Sequence, residues 1–261
     1  MVYLAYKALQ GDKEMKRKHF LQILVICGLG LFTFPQLSFT ALQATFTREQ
    51  LIGKGNPQIT GDTYRSKIHL EAKRSFLEMK EAALKDNIHI EIVSAYRSFE
   101  RQKEIFEGKY TRYTKQGLSP EEALSKIIEY STIPGTSRHH WGTDIDIIQS
   151  NTPSRPQSVL QEKHFYGSGP FCDMKVWLTQ NANTYGFYEV YTRDPQRKGF
   201  SHEPWHFSYA PVSKPMLEAY RKLDIKNILL EENIIGSTYF TDAFIAKYQK
   251  ENMLDINPEL L

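Results

Sequence analysis

The spacing of apolar residues changes period several times along the chain, and each change marks a boundary. A basic cluster from Lys13 to Lys18 precedes an uncharged, mostly apolar stretch from Phe20 to Phe34. That stretch has the length of a signal-peptide core and is short for a membrane span. Basic residues followed by apolar ones at the extreme N-terminus predict an export signal, cleaved near Thr40 or Ala44 or retained as an anchor. A polar lead-in with Gly53, Gly55, Pro57 and Gly61 follows. Ile68, Ala72, Phe76, Met79 and Ala83 then recur at helical spacing, which predicts a helix capped by Asp62 or Thr63 and running to about Lys85.

Ile88 to Val93 alternates as a half-buried strand does, with His89 on its exposed or hydrogen-bonded side. It leads through Ser94-Ala95-Tyr96-Arg97-Ser98 into a helix capped by Ser98 and ended by Gly108. Ser119-Pro120-Glu121-Glu122 is a capping box with proline at the first helical position. Ile133-Pro134-Gly135 breaks the chain before a turn and an alternating strand, 137 to 148. Residues 150 to 170 read as a long surface loop bordering a cleft. The segment from Phe171 to Tyr185 is helical in pattern, stopped by Gly186. Strands are expected at Phe187 to Tyr191 and Pro204 to Ala210, and Pro215 opens a helix to about Leu223.

Composition adds three constraints. Hydrophobic residues make up 41% and charged ones 24% of 261 residues, enough for one catalytic domain with appendages. The formal charge of +3 comes from the N-terminus. Residues 1 to 40 hold five basic residues (Lys7, Lys13, Lys16, Arg17, Lys18) and two acidic ones (Asp12, Glu14), leaving 28 of each sign elsewhere. A neutral remainder lacks the basic stripe that nucleic acid calls for. Cys27 lies in the apolar run, so Cys172 is alone once that run is set aside.

Chemistry concentrates in two stretches. In Ser137-Arg138-His139-His140-Trp141-Gly142-Thr143-Asp144-Ile145-Asp146, strand alternation sends Ile145 and Ile147 to a core while Asp144 and Asp146 share the other face. Two carboxylates on one face of an apolar strand suit a metal, with His139 or His140 arriving from the turn across a bend at Gly142. The second stretch, His202-Glu203-Pro204-Trp205-His206, matches the H-E-x-x-H zinc pattern. That pattern needs a helix interior, which Pro204 disrupts, and Trp205, Phe207 and Tyr209 alternate as in a strand. His206 is therefore read as the ligand and His202 as incidental, with a kink at Pro204 bringing Glu203 to the same side. A His, Asp and His ligand set leaves an open position, as in catalytic rather than structural zinc sites.

Ser137-x-His139-x-x-Gly142-x-x-x-Asp146, Glu203-x-Trp205-His206 and Ser94-Ala95-Tyr96-Arg97-Ser98 together resemble the LAS metallopeptidases, most of all their VanY-type D-alanyl-D-alanine carboxypeptidase branch. The matching blocks span about residues 88 to 210 in the family's order. The resemblance implies that His139, Asp146 and His206 bind zinc, that Glu203 is the catalytic base, and that Arg97 stabilises the substrate or its oxyanion. Gln102 and Ser137 match positions near the substrate. Asp144 departs from the pattern, standing where the family often has a small residue, and is expected to orient a ligand or alter the pocket. Trp141 and Trp205 are expected to pack beside the metal, and His69 and His164 to lie at the surface.

The expected molecule is an exported, monomeric α+β zinc peptidase whose small, mainly antiparallel sheet carries the site, with helices around it. Residues 1–44 would be the signal or membrane anchor, 45–225 the peptidase domain and 226–261 a C-terminal helical appendage. The expected place is the periplasm or cell envelope. The expected substrate is a peptidoglycan stem peptide that loses a terminal D-alanine. L,D-carboxypeptidase or endopeptidase action is the neighbouring possibility, and a non-catalytic, zinc-containing cell-wall binding module is the rival of another class.

Overall fold

The computed structural model describes residues 46–63 and 65–261, so the export segment and the other expectations for residues 1–44 lie outside the described residues. The described chain starts with α1 (Arg48–Leu51), closed by a capping box between Thr47 and Gln50. A two-stranded antiparallel ribbon follows, β1 (Ile59–Thr60) and β2 (Ile68–His69). Helix α2 (Leu70–Lys85) begins later than its apolar spacing suggests. Its cap is His69, whose Nδ1 accepts from the Glu71 amide. Asp62 and Thr63 instead close a turn on the Ser66 hydroxyl. His69, expected at the surface, is thereby buried at 3% exposure.

Strand β3 (Ile90–Ser94) leads into α3 (Phe99–Lys115), capped by Ser98 as expected. This helix passes through Gly108, where solvent surrounds the glycine and the cost against alanine is only about 1 kcal/mol. Helix α4 (Pro120–Ile127) carries the expected capping box. Strand β4 (Asp144–Gln149), α5 (Cys172–Asn181), β5 (Phe187–Glu189) and β6 (His206–Tyr209) follow. Helix α6 (Ala210–Tyr220) has Pro211 in its first turn and Pro215 inside it. Pro215 therefore does not open the helix, because the chain leaves β6 directly into the helical turn.

Strands β3, β4, β6 and β5 form, in that spatial order, an antiparallel sheet. Its alternation separates two environments. Ile145, Ile147, Phe187 and Phe207 pack with Phe76 and Met79 of α2 and Met174 and Leu178 of α5. Asp144, Asp146, His206 and Ser208 take the opposite face, because β4 and β6 pair Asp144 with Ser208 and Asp146 with His206. A second apolar cluster draws on α1, α3, α4 and α6.

The segment after residue 224 forms α7 (Ile225–Glu231) and α8 (Asp242–Tyr248). Ile228, Leu229, Ile245, Tyr248, Ile256 and Leu260 belong to that second cluster, so residues 226–261 share a core with the preceding domain. The Asn257 amide donates to Val190 O, and Asp255 Oδ2 accepts from the amides of Lys198 and Gly199 at 2.6 and 2.9 Å. The C-terminus thus ties down the loop that precedes Glu203. Among the described residues, no helix is long and apolar enough to cross a membrane.

Candidate metal centre

His139 sits on a single 3-10 turn, Arg138–Trp141, that ends at Gly142. Gly142 has φ +68, a left-handed backbone that favours glycine, and a Cβ there would also press on the Ile59 Cδ1 methyl at 2.2 Å and the His69 amide at 3.0 Å. His139 Nδ1 lies 2.8 Å from Ala95 O, to which it can only donate, leaving Nε2 as the free lone pair. That lone pair lies 3.6 Å from Asp146 Oδ2. From the other side of the same carboxylate, His206 Nδ1 lies 3.9 Å from Asp146 Oδ1. The three residues each offer a ligand atom within 4.8 Å of the others, and all three are buried.

The spacing alone allowed either His139 or His140, and the structure separates their roles. His140 Nδ1 donates to Arg97 O at 2.6 Å, and its Nε2 accepts from the Gly135 amide at 3.0 Å. Both nitrogens are occupied, so His140 is a structural bridge. His202 is occupied likewise, by Tyr191 O and the Tyr166 hydroxyl, each at 2.8 Å.

The donor set fits a metal ion by three observations. Ligands about 2.0–2.2 Å from zinc in tetrahedral array stand roughly 3.3–3.6 Å apart, and here the two histidines lie 3.6 and 3.9 Å from the Asp146 carboxylate, with all three ligand atoms within 4.8 Å. Asp146 Oδ1 is buried with no hydrogen-bond partner, a cost that a cation would remove. Electrostatics point the same way. Burial, reinforced by the Glu203 charge, pushes the Asp146 carboxyl up to about 6. Burial, with Arg97 and His206 as further causes, holds His139 well below the usual imidazole value and therefore neutral. Burial opposes protonation of His206 too, but hydrogen bonds to Asp144 and Glu203 outweigh it and raise its pKa to about 10. A cation at this point would replace the proton held among these carboxylates.

Glu203 stands next to the cluster. The chain turns at Pro204 and Trp205, the His206 amide donates back to Glu203 O, and Glu203 Oε2 comes 2.9 Å from His206 Nδ1. The kink expected at Pro204 has this form. Arg97, carried out of β3, lines the cleft and is fixed by Nη1 donating to Gln102 Oε1 at 2.8 Å. Gln102 itself is fully buried, its amide donating to Thr132 O. It was expected near the substrate, but its place on the inner face of α3 makes it a support for Arg97. Ser137 does line the cleft. Trp141 is buried with its indole donating to Leu51 O, whereas Trp205 packs on Phe165 and reaches the cleft wall.

The cleft holds about 710 Å³ and is also bordered by Leu160 to Lys163 of the long loop, Tyr191 and Phe200. Tyr191 escaped the sequence reading, as did Arg138. Tyr191 lies edge-on to His206 with ring centres 5.1 Å apart, at the end of a strand pattern that looks like ordinary core.

Residues 65–212, more than half of the chain, match the family model VanY, D-alanyl-D-alanine carboxypeptidase. The chain belongs to this family. Among VanY relatives, a D-alanyl-D-alanine carboxypeptidase of Enterococcus faecalis is 28% identical over 156 residues, 59% of this chain and 51% of that one. The bifunctional D-Ala-D-Ala dipeptidase and D-Ala-D-Ala carboxypeptidase VanXYC of Enterococcus gallinarum is 30% identical over 121 residues, 46% of this chain and 55% of that protein. The chain spans about half the length of these relatives. A solved structure of VanYB in complex with D-alanine-D-alanine superposes with TM-score 0.48 at 23% identity, over 67% of this chain and 89% of that one.

Proposed function

We propose that this protein is a zinc-dependent peptidase that removes a terminal D-alanine from peptidoglycan stem peptides. The observation that carries the reading is the convergence of His139, Asp146 and His206 with Glu203, on the wall of a cleft that also presents Arg97, in a chain of the VanY family. His139 Nε2, an Asp146 oxygen and His206 Nδ1 would hold the ion. Zinc bound there supplies Lewis-acid polarisation of the scissile carbonyl.

The side chains of this chain then divide the remaining work. The Glu203 carboxylate, which lines the cleft beside the cluster, accepts the proton of the attacking water and returns it to the leaving amine nitrogen. Arg97 gives one N–H to Gln102 and another to Ser94, so its guanidinium keeps donors for the substrate carboxylate or the developing oxyanion. Because Gln102 and Ser94 fix the guanidinium beforehand, little orientation remains to be lost when the oxyanion forms.

Stem peptides lie outside the cytoplasmic membrane, so the reading places the protein in the periplasm or cell envelope, and the basic-then-apolar N-terminus supports export or anchoring. Digestion of muropeptides with and without chelator, followed by mass spectrometry, tests it. Loss of one alanine from pentapeptides, abolished by chelator, is expected. Loss from tetrapeptides alone, or cleavage of cross-links, would reassign the bond. No cleavage by protein with confirmed metal content would refute the enzyme. Glu203→Gln should keep zinc and lose hydrolysis, and full activity in that variant would remove Glu203 from its role.

A further inference from the structure

Asp144 is fully buried and is not among the residues that line the cleft or converge on the ion, yet every acceptor site of its carboxylate is used. Oδ2 lies 2.9 Å from His206 Nε2 and accepts from Arg138 Nε at 2.9 Å. Oδ1 accepts from the Ser208 hydroxyl at 2.6 Å and from the Thr143 hydroxyl at 3.0 Å. Arg138 donates in turn to Ser208 from Nη2 at 2.8 Å, and its guanidinium stacks over Trp141, 4.9 Å from the ring centre. Strand register fixes the arrangement, because Ser208 is the cross-strand partner of Asp144 exactly as His206 is of Asp146.

We propose that Asp144 is a positioning residue for the metal centre: by accepting the Nε2 proton of His206 it fixes the tautomer and ring rotation that turn Nδ1 to the ion. The inference rests on the zinc reading above. A carboxylate can only accept, so its contact with Nε2 requires the proton there. Without an ion Nδ1 also holds a proton, shared with Glu203 Oε2 at 2.9 Å; an ion at Nδ1, the nitrogen that faces Asp146, would displace that proton and leave the one on Nε2 with Asp144. Arg138, Ser208 and Thr143 hold the Asp144 carboxylate in place by hydrogen bonds, and the carboxylate in turn holds the ring. Carboxylate partners of metal-bound imidazoles raise ligand basicity and set orientation, and their loss typically costs about 10- to 100-fold in metal affinity. The competing account makes Asp144 no more than the counter-ion of buried Arg138.

Chelator competition and imidazole nitrogen NMR separate the two accounts. In the zinc-loaded wild type, His206 should carry its proton on Nε2 and the metal on Nδ1, and the reverse assignment overturns the proposal without any variant. Asp144→Asn keeps the shape and, through its amide, still bonds Ser208 or Arg138. It should lower zinc affinity about 10- to 100-fold and alter the His206 nitrogen signals, with circular dichroism unchanged. Ser208→Ala, which leaves the carboxylate in place, should give a smaller loss in the same direction. Asp144→Asn and Ser208→Ala both folded and both binding zinc as the wild type does would overturn the proposal alone. A wild type that binds no zinc would overturn the zinc reading itself.

Discussion

His140→Asn tests the distinction between the ligand histidine and its neighbour. The wild-type ring spans Arg97 O and the Gly135 amide, and its burial lowers its pKa from 6.5 to about 4. Asparagine can keep the bond to Arg97 O through Nδ2 but leaves the Gly135 N–H without an acceptor, at a cost of about 1–3 kcal/mol. The pH dependence is more specific. The folded ring stays neutral down to about pH 4, whereas the unfolded ring takes up a proton near pH 6.5. Between these values the unfolded state binds more protons, so the stability present above pH 6.5 is lost as pH falls towards 4. The full difference is worth about 3 kcal/mol. Urea unfolding of both proteins at intervals from about pH 7.5 to about pH 4.5 reads it, since groups common to both cancel. The wild-type advantage should shrink by roughly 2–3 kcal/mol over that range. A gap independent of pH would show that His140 is not held neutral by the fold.

Two further variants test the scaffold. Asp255→Ala removes the acceptor for the Lys198 and Gly199 amides and should cost about 1–3 kcal/mol, with faster hydrogen exchange concentrated in residues 197–203; unchanged exchange there would mean the C-terminal segment does not restrain this loop. Gly142→Ala forces a side chain into a left-handed backbone and against Ile59, and should lower the unfolding midpoint by the equivalent of at least about 1 kcal/mol; wild-type stability would contradict the close approach of the turn to β1.

The site was legible in outline because strand alternation is a local property. Asp144 and Asp146 had to share a face opposite Ile145, and Pro204 had to keep Glu203 and His206 out of a helix. What the pattern could not hold is anything set by partners far away in sequence. The choice of His139 over His140 depends on Ala95 O, Arg97 O and the Gly135 amide, none of which leaves a periodic trace. The cap at His69 and the passage of α3 through Gly108 follow the same logic, tertiary context overriding local preference. The C-terminal segment read as an appendage because its amphipathic helices are short and charged. Its burial depends on a surface made by α1, α3 and α6.

Zinc content measured on purified variants bears most directly on the central claim. The wild type should hold one zinc per chain, His139→Ala, Asp146→Asn and His206→Ala should each lose it, and His140→Asn and His202→Ala should retain it. Zinc lost with His202→Ala but kept with Asp146→Asn would contradict the centre described here.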